Sequence, residues 1–278
     1  MNYASLFFKP AISAKRFIQQ YHASSFDFLN ILEVSCLNKT YNITGSDALL
    51  ITDAQNDFLP GGALPVPSGD EIIPVLNEFA KFFEVAGAHV FASRDWHPPN
   101  HCSFKQQGGP WPPHCVQNTE GAKFSDDLKL PEGTVVISKA TDPERESYSV
   151  FDGTNFENEL RTRGVRRLFV GGLATDYCVV STVVDALRLG FKAVVLMDAT
   201  LGINAKPGDV DRAVEKMLRS GAEQATTADF PDSVDTLPLV EAEADAMEEK
   251  SSARATVKKK ARMRPRGSVK RIPTERKS

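Results

Sequence analysis

No uninterrupted apolar run of about 18 residues occurs in the chain, which excludes a conventional membrane-spanning helix. Cysteine is scarce. Cys36, Cys102, Cys115 and Cys178 include no Cys-x-x-Cys pair, which argues against a thiolate zinc site and a disulfide-built secreted scaffold. A chain of 278 residues needs no such staples, so free thiols in an intracellular compartment are expected. The cytoplasm is the first expectation, an organelle or the nucleus the alternatives. Aromatic residues are missing after Asp232, and apolar periodicity fades with them. Such a segment cannot bury enough surface to offset its ordering entropy, so 232–278 is expected to be a disordered tail. A large net charge is missing too, but the total of −3 conceals uneven parts. Residues 1–45 are +2, 46–231 are −9, 232–249 carry seven acids and no base, and 250–278 carry twelve Lys and Arg against Glu275. The basic end, with Lys258, Lys259, Lys260, Arg262, Arg264 and Arg266, reads as a solvated tail, a nuclear signal or a polyanion contact. Before Asp27 the only charges are Lys9, Lys15 and Arg16. That fits a targeting segment, or an extra helix packed through Phe17, Tyr21 and Phe28.

What the chain does have is alternation. Short apolar runs at 47–53, 88–92, 133–137, 167–171 and 192–197 read as strands, with a short sixth near Gln224. Residues 71–86 place Ile72, Val75, Leu76, Phe79, Phe82 and Phe83 on one helical stripe, and Gly87 stops it. Further helices are expected at 155–163, 176–189 and 207–220, closed by Gly164, Gly190 and Gly221. Apolar strands separated by helices imply a mainly parallel six-stranded sheet covered on both faces, a three-layer α/β/α domain over 46–231.

In such a sheet ligands bind beyond the carboxyl ends of the strands. The residues expected on that rim are Asp53, then Arg94, Asp95 and His97, then Ser138 and Lys139, then Gly171-Gly172 leading to Cys178, and Asp198. Cys178 follows a glycine-rich turn at the start of a helix, where the macrodipole is expected to lower a thiol pKa. Asp53 as proton acceptor and Lys139 as charge partner would make an acid–base–nucleophile set without histidine. Asp95 and His97 project to one side of extended chain, and His101 and His114 follow in a loop rich in proline and glycine. One carboxylate and two imidazoles suit a divalent ion with open positions. Phe58 and Trp111 are flat partners for a ring.

The segments Asp53-Ala-Gln-Asn-Asp57-Phe58, Ser93-Arg-Asp95-Trp-His97-Pro98, Trp111-Pro-Pro-His114-Cys-Val-Gln-Asn118, Lys139 and Gly172-Leu-Ala-Thr-Asp-Tyr-Cys178 occur in an order and spacing that resembles the nicotinamidases (pyrazinamidases) of the isochorismatase-like hydrolases. The likeness covers about 46–230. It implies a catalytic triad of Asp53, Lys139 and Cys178. It implies Asp95, His97 and His114 as ligands of one divalent metal, with zinc expected first and iron or manganese as alternatives. The resemblance also implies His101 as a candidate further ligand, since some nicotinamidases use a residue from this loop where others have a water. A cis Leu173–Ala174 bond would turn the Ala174 N–H toward an oxyanion beside the Cys178 N–H. Phe58, Trp111 and Tyr177, with Leu173, would bind the pyridine ring of nicotinamide. Pyrazinamide is expected as a second substrate, and self-association is a further expectation. Another amide or vinyl-ether hydrolase on the same fold, or an interaction protein acting through its tail, are the alternative readings.

Overall fold

The computed structural model describes residues 40–231. The expectations for residues 1–39 and 232–278 lie outside that range. Six strands form one sheet: β1 (Asp47–Thr52), β2 (His89–Asp95), β3 (Val135–Lys139), β4 (Arg167–Leu173), β5 (Lys192–Leu201) and β6 (Glu223–Ala225). Every pairing is parallel, in the order β3-β2-β1-β4-β5-β6. The expected sheet is therefore borne out.

Alternate residues divide the core between the two faces of the sheet, because side chains along a strand alternate. Leu49, Ile51 and Phe169 face α1 (Ile73–Val85), whose stripe includes Val75, Leu76, Phe79 and Phe83. Ala48, Leu50, Leu168 and Val170 face the opposite layer, built from α2 (Phe156–Thr162), α3 (Val180–Arg188) and α4 (Asp209–Arg219). The folded chain also takes in more than 46–231. Tyr41 is buried against Phe169 and Phe230, and its N–H bonds the Asp229 carbonyl at 2.7 Å.

The strands run further than their apolar residues suggest. β2 continues to Asp95, β3 to Lys139, β4 to Leu173 and β5 to Leu201. Polar residues at these ends are still paired in the sheet: Asp95 lies opposite Lys139, and Thr52 opposite both Ser93 and Gly172. Gly172 is required by the close approach of β1. Its φ is +110°, and a Cβ there would lie 2.0 Å from the Thr52 carbonyl oxygen.

The helix expected from residue 176 begins later. Thr175–Val179 is one π-helical turn, and α3 follows it. Such turns are frequent at functional sites. The strand order reverses between β1 and β4, where a parallel sheet leaves a crevice at its carboxyl edge.

Candidate active site

Asp53 is the first residue past β1 and has a φ of 47°. Its Oδ1 accepts the Ser93 hydroxyl at 2.7 Å. Its Oδ2 lies 3.0 Å from Lys139 Nζ, and an oxygen of its carboxyl lies within 4.8 Å of Cys178 Sγ. The Lys139 ammonium also donates to Asp95 Oδ1 at 2.5 Å and to the Ser147 carbonyl at 3.3 Å, and lies 3.3 Å from Cys178 Sγ. Thus the neighbours β1, β2, β3 and β4 deliver two acids, a lysine and a thiol to one point. All four side chains are buried.

Burial decides how these groups hold their protons. It pushes the Cys178 thiol well above its ordinary range, and Asp53 and Asp95 push it the same way, while Lys139 pulls it down less. The lowered thiol expected from a helix N-terminus is therefore overturned. The turn that carries Cys178 is a π-turn in a buried, acid-flanked site, where burial and the two carboxylates raise the thiol. Burial also raises Asp53, against the pull of Lys139. For Asp95 burial acts upward, but Lys139, His97 and His114 together hold the carboxyl below its usual range. Burial opposes charge on Lys139, yet Asp53, Asp95 and Cys178 keep it an ammonium.

Asp95 is shared with a second cluster. Asp95, His97 and His114 each offer a ligand atom, all within 4.8 Å of one another. His97 Nδ1 bonds the His114 carbonyl at 3.0 Å, and His114 Nδ1 bonds the Pro112 carbonyl at 2.8 Å. Both rings therefore carry the proton on Nδ1 and leave a lone pair on Nε2. His97 Nε2 is buried with no hydrogen-bond partner. A buried orphan nitrogen beside a carboxylate and a second oriented imidazole fits a divalent ion. Burial pushes His97 down to about 4, against the pull of Asp95, so the ring is neutral and ready to ligate near neutral pH. The neighbouring group of Asp53, Asp95 and Cys178 already surrounds the ammonium of Lys139.

His101 stands beside His97, with ring centroids 4.4 Å apart. Its Nδ1 is 2.7 Å from Ser103 Oγ and its Nε2 3.0 Å from the Arg145 carbonyl, so both nitrogens have partners. Phe58 meets His114 edge-on at 5.5 Å, and Trp111 meets Tyr177 edge-on at 5.1 Å. Leu173 is wholly buried in the core on the α1 face. The Leu173–Ala174 peptide is cis. Ala174 caps the π-turn, and its carbonyl accepts the N–H groups of Tyr177 and Val179. Asp198 is not on the rim. β5 continues past it, and its Oδ2 accepts the Thr227 N–H and O–H at 2.8 Å each. Arg94 and Ser138 pair with each other at 2.9 Å, and Arg94 covers the Trp96 ring.

Sequence reasoning passed over several residues. Tyr148 accepts the Trp111 indole N–H at 3.1 Å and stands 5.6 Å from the Tyr177 ring, extending the aromatic wall. Gln55 clamps the metal-side backbone: its amide donates to the Asp95 carbonyl at 2.8 Å, and its oxygen accepts the Asp95 N–H at 2.7 Å. Asp57 Oδ2 accepts the Cys115 N–H at 2.7 Å, next to His114. Phe104 packs edge-on to the rings of His97, His101 and His114. The period-two spacing of Asp53, Gln55 and Asp57 after an apolar strand was the available signal for two of them.

This rim, at the switch point of a parallel sheet, defines the class: the chain belongs to the isochorismatase family of hydrolases, whose domain matches residues 47–229. Its relatives are more specific. The nicotinamidase of Escherichia coli is 41% identical over 204 residues, covering 66% of this chain and 96% of that protein. The crystal structure of the pyrazinamidase of Pyrococcus horikoshii in complex with zinc is 52% identical, with a TM-score of 0.63, covering 65% of this chain and 99% of that one. PnC1 from L. infantum in complex with nicotinate is 33% identical, with a TM-score of 0.63, covering 69% of this chain and 98% of that one.

Proposed function

We propose that the protein is a nicotinamidase, converting nicotinamide to nicotinate and ammonia in NAD salvage and accepting pyrazinamide as well. The observation that carries this reading is the fusion of two clusters through Asp95, which touches Lys139 on one side and joins His97 and His114 on the other. A thiol beside a base and an ammonium serves acyl transfer, and an adjoining metal site suits a heteroaromatic amide.

Asp95, His97 and His114 would hold the ion. When bound, a divalent metal supplies a Lewis-acidic anchor for the pyridine nitrogen, and zinc, as in the Pyrococcus relative, is the expected species with iron or manganese as alternatives. Phe58 and the Trp111–Tyr148–Tyr177 wall enclose the ring, and the Leu173 segment supplies backbone beside it. Holding the amide carbon against the thiol removes the entropic part of the barrier. Asp53, made more basic by burial, takes the Cys178 proton, and the new thiolate pairs with Lys139. Sulfur attacks the carboxamide carbon, and the Ala174 and Cys178 N–H groups receive the oxyanion, a contribution of about 3–4 kcal/mol per donor. Asp53 returns the proton to nitrogen, the C–N bond breaks and ammonia leaves. Water then attacks the thioester, Asp53 accepts its proton, and nicotinate leaves as the thiol is restored.

The test is ammonia release from nicotinamide by the purified protein, before and after chelation. Activity lost with the metal and regained with zinc, iron or manganese is expected. No ammonia from freshly loaded protein would remove the nicotinamidase reading. An intracellular, reducing setting is proposed from the free Cys102, Cys115 and Cys178. Among the described residues no helix is long and apolar enough to cross a membrane. Self-association is proposed on sequence grounds, with sedimentation as its test. So is polyanion binding by 250–278, which predicts a steep salt dependence of DNA binding.

A further inference from the structure

The imidazole of His97 belongs to two groups of ligand-type atoms. One is Asp95, His97 and His114; the other is His97, His101 and Glu146, whose atoms also lie within 4.8 Å of one another. The shared ring makes these two sides of one centre. On the second side His101 is already committed. Its Nδ1 accepts from Ser103, whose Oγ is at 2.7 Å and N–H at 3.3 Å, which leaves Nε2–H to donate to the Arg145 carbonyl. The group left to face a cation there is the half-buried Glu146 carboxylate. Its Oε1 accepts the Ser147 N–H at 2.9 Å, and among the described residues no hydrogen bond to Oε2 is found.

Charge counting points the same way. A divalent cation and the Lys139 ammonium would bring three positive charges to a site whose two buried carboxylates are Asp53 and Asp95. Asp95 cannot neutralise the cation alone, because its Oδ1 is also bound to Lys139. An uncompensated charge in a dry site is costly, and Glu146 supplies the third negative charge.

We propose that Glu146 is a positioning residue of the metal centre: on the side bounded by His97 and His101, its carboxylate balances the cation's charge and accepts a hydrogen bond from a water that fills out its coordination. Glu146 also joins this centre to the catalytic cluster, since Ser147 donates its N–H to Glu146 and offers its carbonyl to Lys139. The inference rests on the divalent-metal reading above.

The test uses the full-length metal-free protein. Zinc affinity is measured by competition with a chromophoric chelator, and coordination is read from the visible spectrum after cobalt loading. Glu146→Gln keeps an oxygen for the Ser147 N–H while removing the charge. It should weaken zinc binding by about 10–100-fold and alter the cobalt spectrum, with the melting temperature of the metal-free protein unchanged. Parental affinity and an unchanged spectrum in Glu146→Gln would overturn the proposal. So would a loss confined to Glu146→Ala, since that marks a role in holding Ser147 only. His97→Ala separates the two readings. If it abolishes zinc binding and Glu146→Gln does not weaken it, only this inference falls. If the parent binds neither ion, the metal reading falls with it.

Discussion

Lys139 Nζ touches two carboxylates, a thiol and a carbonyl, and the residue is 1% exposed. Nothing in its sequence context, an apolar run ending in Ser-Lys, announces that density of contacts. Its candidacy came from the strand-end rule, whereas its value comes from three neighbouring strands. For Cys178 the sequence suggested a thiol lowered by a helix dipole, whereas burial pushes it up and the fold brings the Asp53 carboxyl within 4.8 Å of it. Cys178→Ala should therefore abolish ammonia release while zinc affinity stays at the parental level. Near-normal turnover in that variant would rule out the thioester. His97 gives a pH prediction. Burial holds its pKa at about 4 in the folded state against about 6.5 for an imidazole in the unfolded chain. Between these values the unfolded chain takes up a proton that the native ring refuses, so metal-free protein loses stability as pH falls from 6.5 toward 4. The full shift corresponds to about 3 kcal/mol. The urea midpoint of His97→Ala should fall less steeply over that window, and parallel slopes would refute the assignment.

Each strand was legible from its apolar stretch, but the end of each strand was not. Asp95 and Lys139 look like loop residues by composition, yet both are paired in the sheet, because partners on either side satisfy their backbone. Asp198 was misplaced for the same reason, since β5 continues to Leu201 against β4. The π-turn at Thr175–Val179 has no periodic signature, as its extra residue breaks the helical repeat. Gly172 could be read as part of a glycine pair, but its necessity lies in the contact with Thr52. Gly172→Ala should cost about 3 kcal/mol, seen as a fall of roughly 6–12 °C in melting temperature. An unchanged melting temperature would show that β1 and β4 can separate at no cost.

For the whole molecule, the split of apolar residues between two faces accounts for the three layers, and the order reversal between β1 and β4 accounts for where the site lies. We propose that 232–278 is separate from the hydrolase domain, whose family match ends at 229. Removing 232–278 should leave kcat/KM for nicotinamide unchanged and abolish any salt-dependent DNA binding. A large loss of activity would mean that the tail supports the domain.

The sequence by itself determined the strand–helix alternation, the parallel class and most residues of the rim, because period, punctuation and strand-end chemistry are local properties. Tertiary structure alone decided which of those residues meet. It put one ammonium among Asp53, Asp95 and Cys178, clamped Asp95 with Gln55, drew Tyr148 and Glu146 to the site and sent Asp198 away. These are contacts between segments far apart in the chain, and the proton affinities there follow from burial, which no single segment possesses.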